Sequence, residues 1–423
     1  MREMKNSGTE WLSDIPHDWT LSNIGSLYTM RNVKVSDRDY PPLSVTMKGV
    51  VPQLEIAAKT DAHDDRKLVR KGDFAINSRS DRRGSCGIAD RDGSVSLINT
   101  ILAPRTKMNP DYYNWLFHST SFADEFYRWG HGIVDDLWTT RWQEMKKIDV
   151  PVPSYEEQAQ IASTLETECT KVDALIANQE AQIEKLKVYK QSLIAEIVTK
   201  GLDSNVPMKD SGIEEIGQVP THWSIYRAKY IASSLEKGSG ITKEDVLENG
   251  DIQCVRYGEI YSKYDGGFST TCSRTKLSAI SSPQHINYGD ILLAGTGELV
   301  EEIGKNIVYL GAEPCLAGGD IIVMRHSQDP VFLNYAMNSI SSQMQKSKGK
   351  AKLKVVHISA TNIGNVLIAL PPIEEQIKIG KYLDVKCNNI DRLVEIKKQK
   401  IEKLNQYKKS LIYEYVTGKK EVQ

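Results

Sequence analysis

Two stretches of this 423-residue chain carry apolar residues at spacings of three, four and seven. In the first stretch they include Ile161, Leu165, Val172, Leu175, Ile176, Ile183, Leu186, Leu193, Ile194 and Ile197. This is the stripe of a helix that packs on another helix. Both stretches lack Gly and Pro, apart from Gly380, and are rich in Ala, Glu, Lys, Leu, Ile and Gln. Most of these are good helix formers. Pro153 and Pro372 stand just before the starts, where a proline ring is tolerated. Ser154 with Glu157 fits a capping box, and Gly201 and Gly418 read as stops. At 1.5 Å per residue such a helix reaches about 65 Å. That is too long for the core of one domain, so each helix is expected to be a spacer.

The two stretches are copies. Residues 156–199 and 374–417 align without a gap, with 20 of 44 positions identical, including IEKL at Ile183–Leu186 and Ile401–Leu404. A shorter block is duplicated too. SGTEWLSDIPHDW (Ser7–Trp19) returns as SGIEEIGQVPTHW (Ser211–Trp223). The order is therefore short block, intervening region, long helix, then the same again, which makes the internal repeat the primary fold signal. A duplicated domain–helix unit tends towards pseudo-two-fold symmetry, like a two-fold dimer fused into one chain. That predicts antiparallel helices packed as a coiled coil. The residues expected to form the packing face are Ile161, Leu165, Leu175, Ile183, Leu186 and Leu193 in the first helix. In the second they are Ile379, Leu383, Leu393, Ile401, Leu404 and Leu411.

The intervening regions, roughly 20–150 and 224–370, have another texture. Most of the Gly, Pro, Thr and aromatic residues lie there. Asp290–Ala294, Ile307–Leu310 and Asp320–Met324 read as short strands, and Asn114–Phe117 and Phe332–Met337 as helical turns. The two regions look almost unrelated, yet Lys71-Gly72-Asp73-Phe74 matches Tyr288-Gly289-Asp290-Ile291, each a turn leading into a strand. The expected class is α+β: two globular domains separated by two long antiparallel helices. The boundaries are 1–153 for the first domain, 154–201 for its helix, 202–371 for linker and second domain, and 372–418 for the second helix.

Composition narrows the function classes. Hydrophobic residues make up 40% and charged residues 26%, as in soluble globular proteins. The formal net charge is −1, so any nucleic-acid charge must be local. No apolar run approaches a membrane span and residues 1–10 show no signal core, so a cytoplasmic protein without membrane contact is expected. The six cysteines suit neither a zinc site nor a disulfide framework, and no metal site is expected. Cys169 and Cys387 sit at equivalent helical positions and read as packing residues.

Local basic clusters are the candidate chemistry. RSDRRG holds Arg79, Arg82 and Arg83, and DDLWTTRWQ holds Trp138, Arg141 and Trp142. The run KSKGKAKLKVVH holds Lys346, Lys348, Lys350, Lys352, Lys354 and His357 without an acid. Lysines suit phosphates, and arginines can read guanine edges. Arg79, Arg82, Arg83, Trp138, Arg141, the five lysines and His357 are the candidate DNA contacts. Catalytic signatures are missing. NPDYY (Asn109–Tyr113) only superficially matches an N-P-P-Y loop, and GTGE (Gly295–Glu298) lacks the G-K-[ST] of a phosphate loop and reads as a turn. No catalytic residue is expected.

Taken together, the chain resembles the specificity subunit of type I restriction–modification systems. The resemblance rests on the duplicated blocks ending IPHDW and VPTHW, the openings PSYEEQ and PPIEEQ, and the helix ends KVYKQSLIAEIVTKG and NQYKKSLIYEYVTGK. It implies two target recognition domains, each reading one half of a split double-stranded DNA site in the major groove. It implies helices acting as a ruler, two methyltransferase subunits docked on them, and restriction/translocase subunits in the full complex. S-adenosylmethionine, ATP and Mg2+ would belong to those partners, with no cofactor on this chain. The competing readings are a non-catalytic coiled-coil adaptor binding proteins or RNA, and an enzyme centred on NPDYY.

Overall fold

The computed structural model describes residues 2–54, 63–79, 82–132, 138–349 and 355–422, without the side chain of Glu301. The chain divides into two compact units: Met1–Glu180 with Lys398–Gln423, and Ala181–Lys397.

The first unit opens with a hairpin, Met4–Asn6 against Asp14–Pro16. Thr20–Asn23 then pairs antiparallel with Asp149–Val152, closing the intervening region at its base. Between them lies a four-stranded antiparallel sheet in the order Cys86–Ile88, Phe74–Asn77, Asn99–Pro104, Tyr28–Met30. A three-stranded sheet holds Gly93–Ser96, Arg66–Val69 and Lys34–Val35. Two helices, Pro110–His118 and Thr120–Arg128, follow. The core is aromatic: Trp19, Tyr28, Phe74, Tyr112, Tyr113, Phe117 and Phe122 are buried together with Ile161 and Leu165 of the first long helix and Leu411 and Tyr415 of the second.

The second unit repeats the frame. Met208–Asp210 pairs with Gln218–Pro220, and Ser224–Arg227 pairs with Leu367–Leu370. Its five-stranded sheet runs Ala232–Lys237, Ile321–His326, Ile291–Ala294, Asn306–Tyr309, Gly267–Phe268. A four-stranded sheet runs Ser273–Thr275, Ile252–Val255, Cys315–Ala317, His285–Ile286, with Ile252–Val255 and Cys315–Ala317 parallel. Helices Pro330–Asn338 and Ile340–Ser347 take the places of the two helices in the first unit. The shared G-D fragment has one job in both copies. Gly72 (φ +88°) and Gly289 (φ +90°) make the left-handed turn, where a side chain would be strained. Asp73 and Asp290 accept from the backbone N–H groups of Arg70 and Asn287 at 2.9 and 2.8 Å, holding that turn.

The long helices span Tyr155–Lys200 and Ile373–Val416. Inside each unit a segment of one packs antiparallel on a segment of the other. In the first unit Lys408 donates to Asp173 at 2.7 Å, and in the second Lys190 donates to Asp391 at 2.7 Å. Asp173 and Asp391 occupy equivalent places in the repeat, as do Lys190 and Lys408. The buried and half-buried positions follow a heptad: Leu165, Cys169, Val172, Ile176, Gln179, Ile183, Leu186, Lys190, Leu193, Ile197. Ile161, Leu165, Ile183, Leu193, Ile379, Leu383 and Leu411 are buried, and Leu186, Ile401 and Leu404 are half-buried.

Leu175 and Leu393 correct the expected packing face. They are 46% and 48% exposed. Each lies one residue short of the seam, beside Ile176 and Val394, on the flank of the coil. Gly380, which breaks the helix-former pattern, has a steric reason. A Cβ there would meet Asp329 Oδ1 at 2.9 Å and the Phe332 nitrogen at 3.2 Å, at the start of Pro330–Asn338. GTGE forms no simple turn. Its Thr296–Gly297 pairs antiparallel with Val356–His357. Five of the six cysteines are buried, Cys169 and Cys387 among them, and Cys272 is exposed.

Candidate nucleic-acid interface

The short blocks and helix starts form one frame in each unit. Trp19 is buried, and its indole Nε1 donates to Glu157 at 2.8 Å. Trp223 is likewise buried and donates to Glu375 at 3.2 Å. The next residue of each E-E-Q motif ties the variable region down. Gln158 accepts from the Asn109 backbone N–H at 2.8 Å and donates to the Pro153 carbonyl. Gln376 accepts from the Asp329 N–H at 3.1 Å and donates to the Pro371 carbonyl. Asn109 and Asp329 are the N-caps of Pro110–His118 and Pro330–Asn338, each followed by a proline in the first turn. NPDYY is thus a helix start whose Tyr112 and Tyr113 are core residues. The expected capping box is half made. Ser154 accepts from the Glu157 N–H at 3.2 Å, while the Glu157 carboxylate turns away to Trp19 and Arg2.

In the first unit the arginine and tryptophan clusters, far apart in sequence, come together. The backbone at Arg79 bridges to Thr139, and Thr140 N–H donates to the Ser78 carbonyl. That pairing sets Trp138 and Arg141 beside the turn holding Arg79, Arg82 and Arg83. Trp138 donates to the Tyr127 carbonyl at 2.9 Å and stacks on its ring at 5.7 Å. Arg83 lies 5.1 Å from the same ring and is ion-paired with Asp124. The three arginines and Arg141 are exposed. Trp138 is a half-buried support under them. Close packing at Gly130, where a Cβ would run into the Trp138 ring, holds it there.

In the second unit the lysine run divides. Lys346 corrects the expectation of a phosphate contact, because it is buried at 2% exposure. Its ammonium donates to the Gly304 carbonyl (2.7 Å), the Met337 carbonyl (2.6 Å) and Asn306 Oδ1 (3.2 Å). Desolvation pushes its pKa down to about 7. The helix Ile340–Ser347 turns this residue inward, and a lysine with three oxygens around it is a pin between helix, strand and loop. Lys348 is exposed and paired with Glu215 at 2.9 Å. His357 shares a hydrogen bond with Thr296 at 3.0 Å. Lys350, Lys352 and Lys354 lie outside the described residues.

A site that the sequence reading missed lies elsewhere in this unit. A groove of about 890 Å³ is lined by Lys237, Lys243, Arg256, Tyr257, Lys263 and Asp320, among others. Three strands end at it: Ala232–Lys237, Ile252–Val255 and Cys315–Ala317. Backbone bonds from Ser239 N–H to the Ala317 carbonyl and from Gly318 N–H to the Val255 carbonyl, both 2.7 Å, hold those ends side by side. The signal was available in Cys254–Glu259, a strand whose end carries Arg-Tyr-Gly-Glu. Single basic residues scattered over 27 positions form no run, so a search for clusters passes over them.

Among the described residues no group of three or more His, Cys, Asp or Glu could hold a metal ion, and no helix is long and apolar enough to cross a membrane.

Residues 220–406 match the family model of the type I restriction modification DNA specificity domain. The chain is 26% identical over 427 residues to the type I restriction enzyme MjaVIII specificity subunit of Methanocaldococcus jannaschii, covering 96% of this chain and 93% of that one. It is 27% identical over 282 residues to the putative MjaX specificity subunit of the same organism, covering 65% of this chain and 60% of the relative. Among solved structures it is similar to a chain from work on complex assembly and conformational transition of the type I R-M system, with a TM-score of 0.72, 15% identity, and 96% and 99% of the two chains covered. It is also similar to the HsdS subunit from Thermoanaerobacter tengcongensis, with a TM-score of 0.54, 16% identity, and 96% and 98% covered. At these identities the structural likeness is one of fold. Residues 220–406 thus carry a type I restriction modification DNA specificity domain, and over nearly its whole length the chain, with its duplicated frame, is similar to type I restriction enzyme specificity subunits.

Proposed function

We propose that this chain reads a bipartite DNA target, one half-site per intervening region, and brings methyltransferase and restriction subunits to it. The observation that carries the reading is a frame kept twice around contents that differ. Trp19–Glu157 and Gln158–Asn109 recur as Trp223–Glu375 and Gln376–Asp329. What they hold presents an arginine–tryptophan cluster in one unit and a basic groove in the other. Equal frames suit equal partners, and unequal surfaces suit an asymmetric DNA sequence. The chain supplies recognition and no catalytic group. S-adenosylmethionine, ATP and Mg2+ sit on the partner subunits.

The partners' landing places are on the helices. Leu175 and Tyr407 in the first unit are 46% and 50% exposed, and Leu393 and Tyr189 in the second are 48% and 56% exposed. Leu175 and Leu393 are equivalent in the repeat, as are Tyr189 and Tyr407. Each unit therefore offers the same leucine and tyrosine, which fits two copies of one protein, and we assign one methyltransferase subunit to each.

The test is to co-express the chain with the methyltransferase encoded beside it and map methylation on a plasmid library. A motif in two parts separated by a fixed spacer is expected. Replacing residues 20–150 with another such region should change one part only. Methylation without a bipartite motif would refute the reading.

A further inference from the structure

We infer that Arg256 is a base-reading residue of the second unit, selecting a guanine in the half-site that this unit recognises. The inference rests on the function proposed above.

An arginine that reads a guanine needs its end-on edge free, its position fixed and its surroundings open to a duplex. Arg256 meets all three conditions. It follows the strand Ile252–Val255 directly and lines the groove. Its Nε and Nη2 both donate to Glu259 Oε1, at 3.1 and 2.9 Å. Glu259 is buried at 5% exposure and is itself fixed. Its Oε2 accepts from the Arg256 backbone N–H at 3.0 Å, and its Oε1 accepts from Ser273 at 2.5 Å. The guanidinium is therefore gripped along its inner side. Guanidinium carries five donors in a rigid fork. With Nε and one Nη2 proton spent on Glu259, the outer edge, Nη1 with the second Nη2 proton, has no partner among the described residues. That edge matches the O6 and N7 acceptors of guanine in the major groove.

The surroundings suit the task. Gly258, next to the reader, has open space where a Cβ would stand, and so does Gly240. Lys243 and Lys263 stand at the groove to meet phosphates, while Lys237 is paired with Asp320 at 3.7 Å. Glu259 is a positioning residue, since it acts through Arg256.

The experiment is competition binding by the full chain, assembled with its methyltransferase, to duplexes carrying its mapped target and all four bases at each position. Arg256→Ala and Arg256→Lys are compared with the unaltered chain, and thermal melting confirms that each folds. At one G·C pair of one half-site, roughly 10- to 100-fold discrimination in the unaltered chain should fall towards none in Arg256→Ala. The other half-site should be unchanged. Arg256→Lys should keep part of the affinity and lose most of the discrimination, because a point charge cannot replace the fork. Lys243→Ala should weaken binding evenly across sequences and lower the salt slope by about one. A folded Arg256→Ala variant with wild-type discrimination at every position would overturn the inference. If the unaltered chain yields no bipartite motif, the failure belongs to the proposed function instead.

Discussion

The indole of Trp19 donates to the carboxylate of Glu157 at 2.8 Å, which fastens the short N-terminal block to the first turn of a helix 138 residues further on. The same carboxylate binds Arg2. Removing it leaves a buried N–H without an acceptor. Glu157→Ala should cost about 1–3 kcal/mol, read as a lower urea midpoint. Glu375→Ala, which strands Trp223, should act in the same direction. Glu157→Ala should be the costlier, because Arg2, which keeps only Asp18, loses two hydrogen bonds to Glu157, whereas His222 loses one to Glu375. Equal, negligible shifts would show that the two tryptophans need no acceptor.

Lys346 gives a pH dependence with a definite sign. Burial lowers its pKa from 10.5 to about 7. Between those values the folded chain binds fewer protons than the unfolded chain, so stability from this group rises with pH across the window. Its cost is full below pH 7 and is relieved by about pH 10.5. The stability difference between the chain and Lys346→Met should therefore move in favour of the unaltered chain as pH rises from 7 to 10. Urea midpoints at several pH values measure this. The salt slope of DNA binding should be the same for both proteins. A slope lowered by about one would restore Lys346 as a phosphate contact.

The pairs Lys408–Asp173 and Lys190–Asp391 should be coupled weakly. The aspartates are 57% and 47% exposed, so solvent screens them. A double-mutant cycle on Lys408 and Asp173 should give about 0.2–1 kcal/mol. Lys408→Leu alone should leave the fold intact or stabilise it, since an apolar residue suits the seam. A large loss of stability would place this lysine in a more demanding role than helix register.

Leu175→Ser with Tyr407→Ser should change folding stability by no more than about 0.5 kcal/mol, as exposed substitutions do. The same pair should lower the number of methyltransferase subunits bound from two to one, read by sedimentation or native mass spectrometry. Tyr189→Ser with Leu393→Ser should do the same through the other copy. Retention of two subunits by both variants would remove the helices as their landing place.

The repeat made much of the architecture legible. A gap-free match of 20 positions in 44 and the three-four-seven spacing pointed to paired helices, because helix geometry is local and periodic. Leu175 shows where that reasoning ended. A periodic stripe includes neighbours of the true seam, and only the partner helix decides which side of the stripe is covered. The lysine run shows the same limit for charge. Lys346 and Lys348 are two residues apart, yet one is buried and the other exposed.

What the sequence determined by itself was the duplication, the long helices and the resemblance to specificity subunits. These depend on local periodicity and on blocks that match one another along the chain. What only the tertiary structure decided was which basic residues share a surface. Arg79 comes beside Trp138 because its backbone bridges to Thr139, and Lys237, Arg256 and Gly318 meet because three strands end together. The reason is physical. Strand pairing joins residues far apart in sequence, and no local pattern records which strand will lie beside which.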